Sequence, residues 1–425
     1  MKVMVLGAGV IGVTTAWYLH RQGFEVELID RQPGPGLEAT FANAGGVCPG
    51  FSGPWAAPGM MSKALRWLLE PQAPLKWRPR LDADQWRWLW RFARECRLDR
   101  YQANKTRMQR IAHYSQRCLK ELREETGIHY NQQALGVLQL FSTPQELAMA
   151  DQASRVLTSF GVEHRIVDAD GVRAIEPALA QATLTLTGGL HLPGDETGDC
   201  ALFTRELAQR LQQQGVRFHF DTTIASLIQE GGQQRIVGVE TDRGPITADA
   251  VVVALGCNAA RLLRPLSIRL PIYPVKGYSV TLDIDNTDAA PHSSVMLESR
   301  KVMITRLGDR LRVAGIAEVA DYSTRLNGKS CAFVADTARA LFPNAGDYQH
   351  LEPWCGLRPM TPDGPGYVGA TPFAGLFLAC GQGSSGWTQA AGVGRLVADA
   401  VAGRPADIDL DGFTLQRHRR RADGR

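Results

Sequence analysis

The apolar pattern is clearest at the two ends of the chain. Lys2-Val3-Met4-Val5-Leu6 is a short, almost continuous apolar run that predicts a buried strand, and residues 10–22 carry a helical pattern. Residues 25–30 predict a second strand, whereas 33–59 is too rich in Gly and Pro for a regular element. Helical patterns then cover much of 62–70, 84–97 and 101–126. Asp199 suits the N-cap of a helix reaching Gln214, with Gly215 as its stop, ahead of a strand at 216–220. A further buried strand is predicted at 250–255. Between 272 and 316, apolar and polar positions alternate around turns such as Leu307-Gly308-Asp309, the pattern of an antiparallel sheet. The chain closes with a strand at 375–380, a Gly/Ser loop at 381–386 and a helix at 387–401. Strand–helix units at both ends and near the middle imply an α/β fold with a discontinuous, Rossmann-like nucleotide domain. We assign it residues 1–60, 195–268 and 355–425. Residues 61–194 and 269–354 form a second α+β domain on the antiparallel sheet.

Composition narrows the class. A chain of 425 residues with 44% hydrophobic and 21% charged residues has room for two domains and is not disordered. It contains no apolar run near the roughly 18 residues of a membrane-spanning helix, and residues 3–13, broken by glycine, make a poor signal peptide. The eight cysteines are scattered without a Cys-x-x-Cys pair, which suits a reducing cytoplasm rather than a zinc site or disulfide framework. A net charge of +4 is too small to imply a nucleic-acid partner. The charge is uneven, however. Residues 63–110 hold thirteen Lys and Arg against five acids, and six of the nine Trp (55, 67, 77, 86, 88, 90) fall in or beside this segment. Residues 417–425 add a short basic tail. Two readings of 55–110 stand: Trp at headgroup level with Arg drawn to anionic lipid, or a buried face of Trp86, Trp90 and Phe92 with Arg on the solvated side.

Gly7-Ala8-Gly9-Val10-Ile11-Gly12 lies between the first strand and the first helix, the context a dinucleotide fingerprint requires. Gly7 permits the tight turn, Gly9 lets the backbone approach a pyrophosphate, and Gly12 lets helix and sheet pack closely. The helix N-terminus offers N–H groups and partial positive charge to phosphate. Asp30, at the end of the second strand, is placed to accept bonds from a ribose diol. The alternative is a structural Gly-rich turn. An NAD domain usually completes its sheet from contiguous sequence. Here a second Gly-rich strand–loop–helix closes the chain, which suggests FAD gripped from both ends.

Later motifs carry a specific resemblance. They are Ala42-Asn43-Ala44-Gly45, Pro54-Trp55-Ala56-Ala57-Pro58-Gly59, Asp195-Glu196-Thr197-Gly198-Asp199-Cys200, Tyr273-Pro274-Val275-Lys276-Gly277-Tyr278-Ser279 and Gly356-Leu357-Arg358-Pro359-Met360-Thr361-Pro362-Asp363-Gly364. In this order, over nearly the whole chain, they resemble the FAD-dependent oxidoreductases of the D-amino-acid oxidase/glycine oxidase superfamily. Within it they resemble the bacterial D-amino-acid dehydrogenases of small-subunit type. The resemblance implies that Arg358 forks onto the substrate carboxylate; its alternative is a structural pair with Asp363. It implies that Lys276 and Tyr278 line the active-site cavity, against the alternative of an ordinary strand. Cofactor contacts are implied for Gly7, Gly9, Val10, Ile11, Gly12, Asp30, Arg31, Asn43, Ala44, Gly45, Gly46, Ile224, Gly256, Gly383, Ser384, Ser385, Gly386 and Trp387. No metal is implied. Many relatives carry His where this chain has Gln382, and Thr-Leu where it has Ser384-Ser385, so a cation near the flavin is lost. Some attach flavin through a cysteine near Cys355, but the register here does not match.

The implied reaction is oxidation of an α-amino acid to its imino acid by hydride transfer to FAD, then hydrolysis to a 2-keto acid and ammonia. The implied partners are an amino-acid substrate, a quinone or respiratory-chain acceptor, and an anionic membrane reached through 55–110. The protein would then be cytoplasmic or peripheral on the inner face of the plasma membrane. Handedness of the substrate rests on the resemblance. A secondary-amine oxidase or dehydrogenase (sarcosine, proline or hydroxyproline), a non-catalytic FAD-bearing subunit of a respiratory complex and an NAD-linked enzyme remain as alternatives.

Overall fold

Two sheets organise the chain in the computed structural model, which describes residues 1–67, 70 and 73–418. The first has six strands in the order Tyr367–Ala370, Leu376–Cys380, Ala250–Val253, Lys2–Leu6, Glu25–Ile29 and Arg217–His219. All neighbours run parallel except the first two, which are antiparallel. A parallel sheet covered on both faces must be apolar throughout, which is why 2–6 and 250–253 read as unbroken runs. Helices Val10–Arg21, Cys200–Gln213 and Gly386–Val401 cover one face through Val13, Leu19, Phe203, Leu207, Val393 and Leu396. A three-stranded meander, Ile224–Gln229, Ile236–Thr241 and Gly244–Thr247, closes the other through Ile236 and Val239.

The ends of the chain lock together at small residues. A side chain at Gly394 would sit 2.8 Å from the Thr14 backbone, and Thr14 Oγ1 donates to the Ala390 carbonyl at 2.9 Å. This contact brings the opening fingerprint and the closing Gly/Ser loop to the same end of the sheet.

The second sheet has nine strands. Its main path runs Glu352–Met360, Tyr273–Asp283, Arg310–Val319, Val302–Leu307, Ser294–Leu297, Val137–Phe141, Gly188–Leu192 and Arg165–Asp168, with Leu75–Trp77 beside Arg310–Val319. Its strands between 273 and 319 pair antiparallel, as expected, and two further pairs make the whole sheet mixed. Ser294–Leu297 runs parallel to Val137–Phe141, and Leu75–Trp77 parallel to Arg310–Val319, because both partners arrive from distant sequence.

Sheet membership departs from the sequence division in two places. The expected boundary at 355 falls inside Glu352–Met360, which pairs along its length with Tyr273–Asp283 and so belongs to the second sheet. The long helix Leu98–Thr126 places Ile111, Tyr114, Leu119 and Leu122 in the core of the first sheet, and Ser115 Oγ accepts from Gly392 N at 3.0 Å. The partner of the helix could not be read from its 3.6-residue period, which gives a buried stripe but not what covers it, and the pairing of the strand depends on residues distant in sequence. The helix expected at 62–70 spans Met60–Trp67, and residues 68 and 69 lie outside the described residues.

Candidate active site

A cleft of about 1750 Å³ runs between the two sheets, larger than the roughly 300–1,000 Å³ of an ordinary small-ligand pocket. Its nucleotide end is built from the fingerprint. Gly7 adopts φ +103°, and a Cβ there would meet the Ala254 carbonyl at 2.7 Å. A Cβ at Gly12 would sit 1.8 Å from the Gly7 carbonyl, so Gly12 serves helix–loop packing and does not itself line the cleft. Gly9 differs. Its Cβ would meet only Thr40 Oγ1, at 3.4 Å, leaving the space over it open. Val10 N–H, at the start of the first helix, donates to Thr40 Oγ1 at 3.0 Å. Asp30 accepts from Ala8 N at 2.6 Å and from Gln32 N at 2.9 Å, and burial raises its pKa above the usual carboxylate value. It therefore braces the glycine loop as well as facing the cleft with Arg31, whose guanidinium bonds Glu38.

In the middle of the cleft, Asn43, Ala44, Gly45 and Gly46 face Gly383, Ser384, Ser385, Gly386 and Trp387. Ser385 is the N-cap of the last helix without a side-chain capping bond, so first-turn N–H groups remain available for an acceptor. Ile224 and Gly256 line the nucleotide side, together with Thr222, Thr223 and Arg261. This arrangement fits FAD: two helix N-termini line one large cleft, and Cβ positions at Gly9, Gly256 and Gly386 leave it open. Gln382 lies in the same wall.

The substrate end is built from strand register. Gly277 pairs with Gly356, and Arg358 with Val275. Gly277 faces two residues of the neighbouring strand, Ile316 and Ala317, because Lys276 pairs with Glu318 while Tyr278 pairs with Gly315. This is a β-bulge, and Ile316 within it has φ +58°. A β-branched residue there is a true outlier, in a conformation that glycine normally supplies. The bulge aims the Ile316 carbonyl at Arg358. Arg358 Nη1 donates to it at 3.0 Å and to the Lys276 carbonyl at 3.1 Å. The guanidinium lies flat over Gly277, whose Cβ would come within 2.4 Å of it, and 6.0 Å from the Trp55 ring. Trp354 lies over Gly356 in the same way.

Arg358 makes no ion pair among the described residues; Asp363 instead bonds Arg417 at 3.2 Å, so a structural Arg358–Asp363 pair is excluded. Burial pushes the Arg358 guanidinium down to about 10, and its remaining accessible surface faces the cleft. Among the described lining residues the only carboxylates are Asp30 and Glu38, and no histidine lines the cleft. Cys355 does line it, with its thiol pushed up to about 11 by burial.

Lys276 departs from expectation. It does not line the cleft; its ammonium is buried against Asp321 at 2.7 Å, because ordinary alternation along the strand puts it on the opposite side from Gly277. Tyr278 is among the lining residues, but its hydroxyl donates to Glu318 Oε2 at 2.8 Å and its ring packs with Cys355 and Val334 in the core of the second sheet. Burial and Glu318 raise its pKa.

Several contributors escaped the sequence reading. Thr40, three residues ahead of Asn43, lies in the irregular stretch 33–59 and caps a helix thirty residues away, so no local pattern marked it. Lys105 is 8% exposed and lines the cleft, with burial pushing its ammonium down to about 8. Near it, burial pushes Asp195 up to about 7, while Asp195 Oδ1 accepts from Gly50 N at 3.0 Å. Asp195 opens one of the motifs quoted above, but nothing in the sequence linked it to Lys105, which reads as one more cation on a charged helix.

The rim separates the two readings of the Trp-rich segment. In Ala83–Glu95, Trp88 points inward and donates to the Met360 carbonyl at 2.8 Å. Trp86 and Trp90 point outward, 48% and 59% exposed, and the Arg94 guanidinium lies 4.6 Å from the Trp90 ring centre. Met61, Leu65, Leu81 and Leu98 are exposed nearby. No described helix is long and apolar enough to cross a membrane.

A family profile described as FAD dependent oxidoreductase (DAO) matches residues 2–400. A protein of Agrobacterium fabrum named D-amino acid dehydrogenase is 49% identical over 98% of this chain and 100% of its own length. One of the same name from Bradyrhizobium diazoefficiens is 47% identical over 99% of this chain and 100% of its own. Among solved structures, glycine oxidase from Geobacillus kaustophilus superposes with a TM-score of 0.76, covering 98% of this chain and 99% of that one; at 23% identity the likeness concerns the fold. With the fingerprint, the two-sheet cleft and a profile spanning almost the whole chain in agreement, this protein belongs to the DAO family of FAD-dependent oxidoreductases.

Proposed function

We propose that the protein oxidises a D-amino acid to the 2-keto acid and ammonia, and that Arg358 holds the substrate carboxylate. One observation carries the assignment of Arg358: a guanidinium held in place by backbone carbonyls, facing the cleft, with no carboxylate paired to it. A buried charge left unpaired is costly, and a substrate carboxylate supplies the missing partner. The D configuration is carried by the relatives' name and length-wide similarity.

When bound, FAD supplies the hydride acceptor for the substrate Cα–H bond. The residues of this chain do the rest. Arg358 fixes the carboxylate, and the walls at Trp55, Val275, Ile316 and Trp354 exclude water from the side chain. No Asp, Glu or His stands at this end among the described lining residues. The substrate amine therefore enters neutral, and its lone pair assists loss of the hydride. Water then adds to the iminium product, giving keto acid and ammonium. In Arg358→Lys, FAD should stay bound while kcat/KM for carboxylated substrates falls by about 100-fold or more, in the range of a broken charge-assisted pair. An equal loss with an amine lacking the carboxylate would show that Arg358 is structural.

The same proposal gives the electrons to a membrane quinone. The support is the outward placing of Trp86 and Trp90 among Arg87, Arg91 and Arg94, at the rim of the cleft. Each basic residue near an anionic surface contributes about 1 kcal/mol. Wild-type protein should sediment with phosphatidylglycerol vesicles at low salt, and reversing Arg87, Arg91 and Arg94 to Glu should abolish this without slowing a soluble dye acceptor. Failure of the wild type to sediment would refute the docking.

A further inference from the structure

The loop at 42–45 is fastened to the second sheet in an unusual way. Three consecutive carbonyls are each taken by a side chain from a different strand. Ser279 Oγ donates to the Ala42 carbonyl at 2.8 Å, Arg312 Nη1 to Asn43 at 3.2 Å and Thr305 Oγ1 to Ala44 at 2.8 Å. The Gly45 carbonyl is held by Gly198 N at 2.8 Å, from outside that sheet. Ser279, Thr305 and Arg312 are all buried, and none of them lines the cleft.

In a trans peptide the carbonyl and the following N–H point in opposite directions, and no described peptide bond is cis. Turning the carbonyls of Ala42 and Asn43 toward the sheet therefore turns the N–H groups of Asn43 and Ala44 away from it. The cleft lies on that side, lined by these residues. The third N–H, of Gly45, is already taken by Asn43 Oδ1 at 2.9 Å, which stiffens the turn. Arg312 adds charge. Its Nε donates to Thr281 Oγ1 at 2.7 Å, it makes no ion pair among the described residues, and burial lowers its pKa. A guanidinium one peptide behind the loop polarises the Asn43 peptide and makes the Ala44 N–H a stronger donor.

We propose that Ser279, Thr305 and Arg312 are positioning residues for the flavin, aiming the loop amides at FAD, with Arg312 supplying the positive potential that Gln382 does not. The proposal rests on the placing of residues 43–46 against the flavin. It makes the substrate-side sheet, rather than the nucleotide fold alone, a determinant of flavin affinity and redox poise.

The test uses the holoenzyme with Ser279→Ala, Thr305→Val, Arg312→Met and Arg312→Lys, reading FAD release on dilution, flavin midpoint potential and melting temperature. Arg312→Met should raise the FAD dissociation constant by about tenfold, equal to roughly 1.4 kcal/mol, and lower the potential. Arg312→Lys should restore part of the potential, and Ser279→Ala should weaken FAD without moving the potential as far. If Arg312→Met does not fold, Ser279→Ala and Thr305→Val decide the matter. Variants that melt earlier yet keep FAD affinity and potential overturn the proposal. Gly45→Val, at φ +77°, is the control. If it weakens FAD while the three side-chain variants do not, the fastening is irrelevant; if it too leaves FAD unaffected, the placing of the loop fails with it.

Discussion

The two ends of the cleft are built on opposite principles. At the nucleotide end, glycine stands wherever the backbone needs it: Gly7 at positive φ and Gly12 against the Gly7 carbonyl. At the substrate end, the corresponding strained position is filled by Ile316, and the glycines, 277 and 356, lie beneath side chains instead. The first end makes a backbone surface for a large, invariant cofactor. The second spends conformational strain to aim one carbonyl at one arginine, and strain of this kind, of order 1–3 kcal/mol, persists only where the surroundings enforce it. Cofactor binding should therefore tolerate little change in backbone, and substrate binding little change in register.

Gly9→Val should give the largest effect. The protein itself has room for the first carbon, with Thr40 Oγ1 at 3.4 Å as its nearest neighbour, so the fold should survive while FAD is lost. Colourless but cooperatively melting protein is the expected outcome of absorbance and calorimetry; full flavin content would mean that the open space over Gly9 is not where the cofactor lies. Gly277→Ala should come next and act at the other end only. Its methyl group would meet the Arg358 guanidinium within 2.4 Å, so the arginine must move. FAD content should be unchanged, with KM for the amino acid raised by about 10-fold or more, since the carboxylate loses one fork of a bidentate contact. A variant with normal KM would show that Arg358 need not lie over Gly277.

The smallest effect on catalysis, read in stability instead, concerns Lys105 in the cleft wall and Asp195 buried near it. Asp195 is pushed up to about 7, so the folded protein binds a proton more tightly than the unfolded chain does between about pH 4 and 7. Stability is lost as pH rises through that window, by up to about 1.4 kcal/mol for each pH unit crossed. Lys105, pushed down to about 8, has the opposite sign: stability rises from about pH 8 toward its unfolded value near 10.4. Asp195→Asn should flatten the lower window, measured as melting temperature against pH, while Asn can still accept from Gly50 N. An unchanged pH profile would mean that Asp195 does not carry a raised pKa.

The same contrast explains what could be read from sequence. The fingerprint, its helix, Asp30 and the closing Gly/Ser loop depend on spacing within short segments, and local spacing is visible in a single chain. Arg358 was reached through its motif, but its floor and its carbonyl partners come from Gly277 and Ile316, distant in sequence and joined only by strand register. No propensity rule places Ile at positive φ. Lys276 illustrates the cost: alternation along its strand sets it opposite Gly277, and only knowing that Gly277 faces the cleft would have placed it on Asp321. Trp88 was likewise indistinguishable from Trp86 and Trp90 until the helix had a neighbour.

The central claim is that a D-amino acid is oxidised with its carboxylate on Arg358. The most direct measurement is anaerobic titration of the flavin with D-, L- and N-substituted amino acids, in the wild type and in Arg358→Lys. Bleaching of the wild-type flavin by D-amino acids in preference to the others, with the apparent affinity sharply reduced in the variant at equal FAD content, is the predicted result. Bleaching by proline, sarcosine or L-amino acids in preference to D-amino acids, or equal bleaching of wild type and variant, would contradict it.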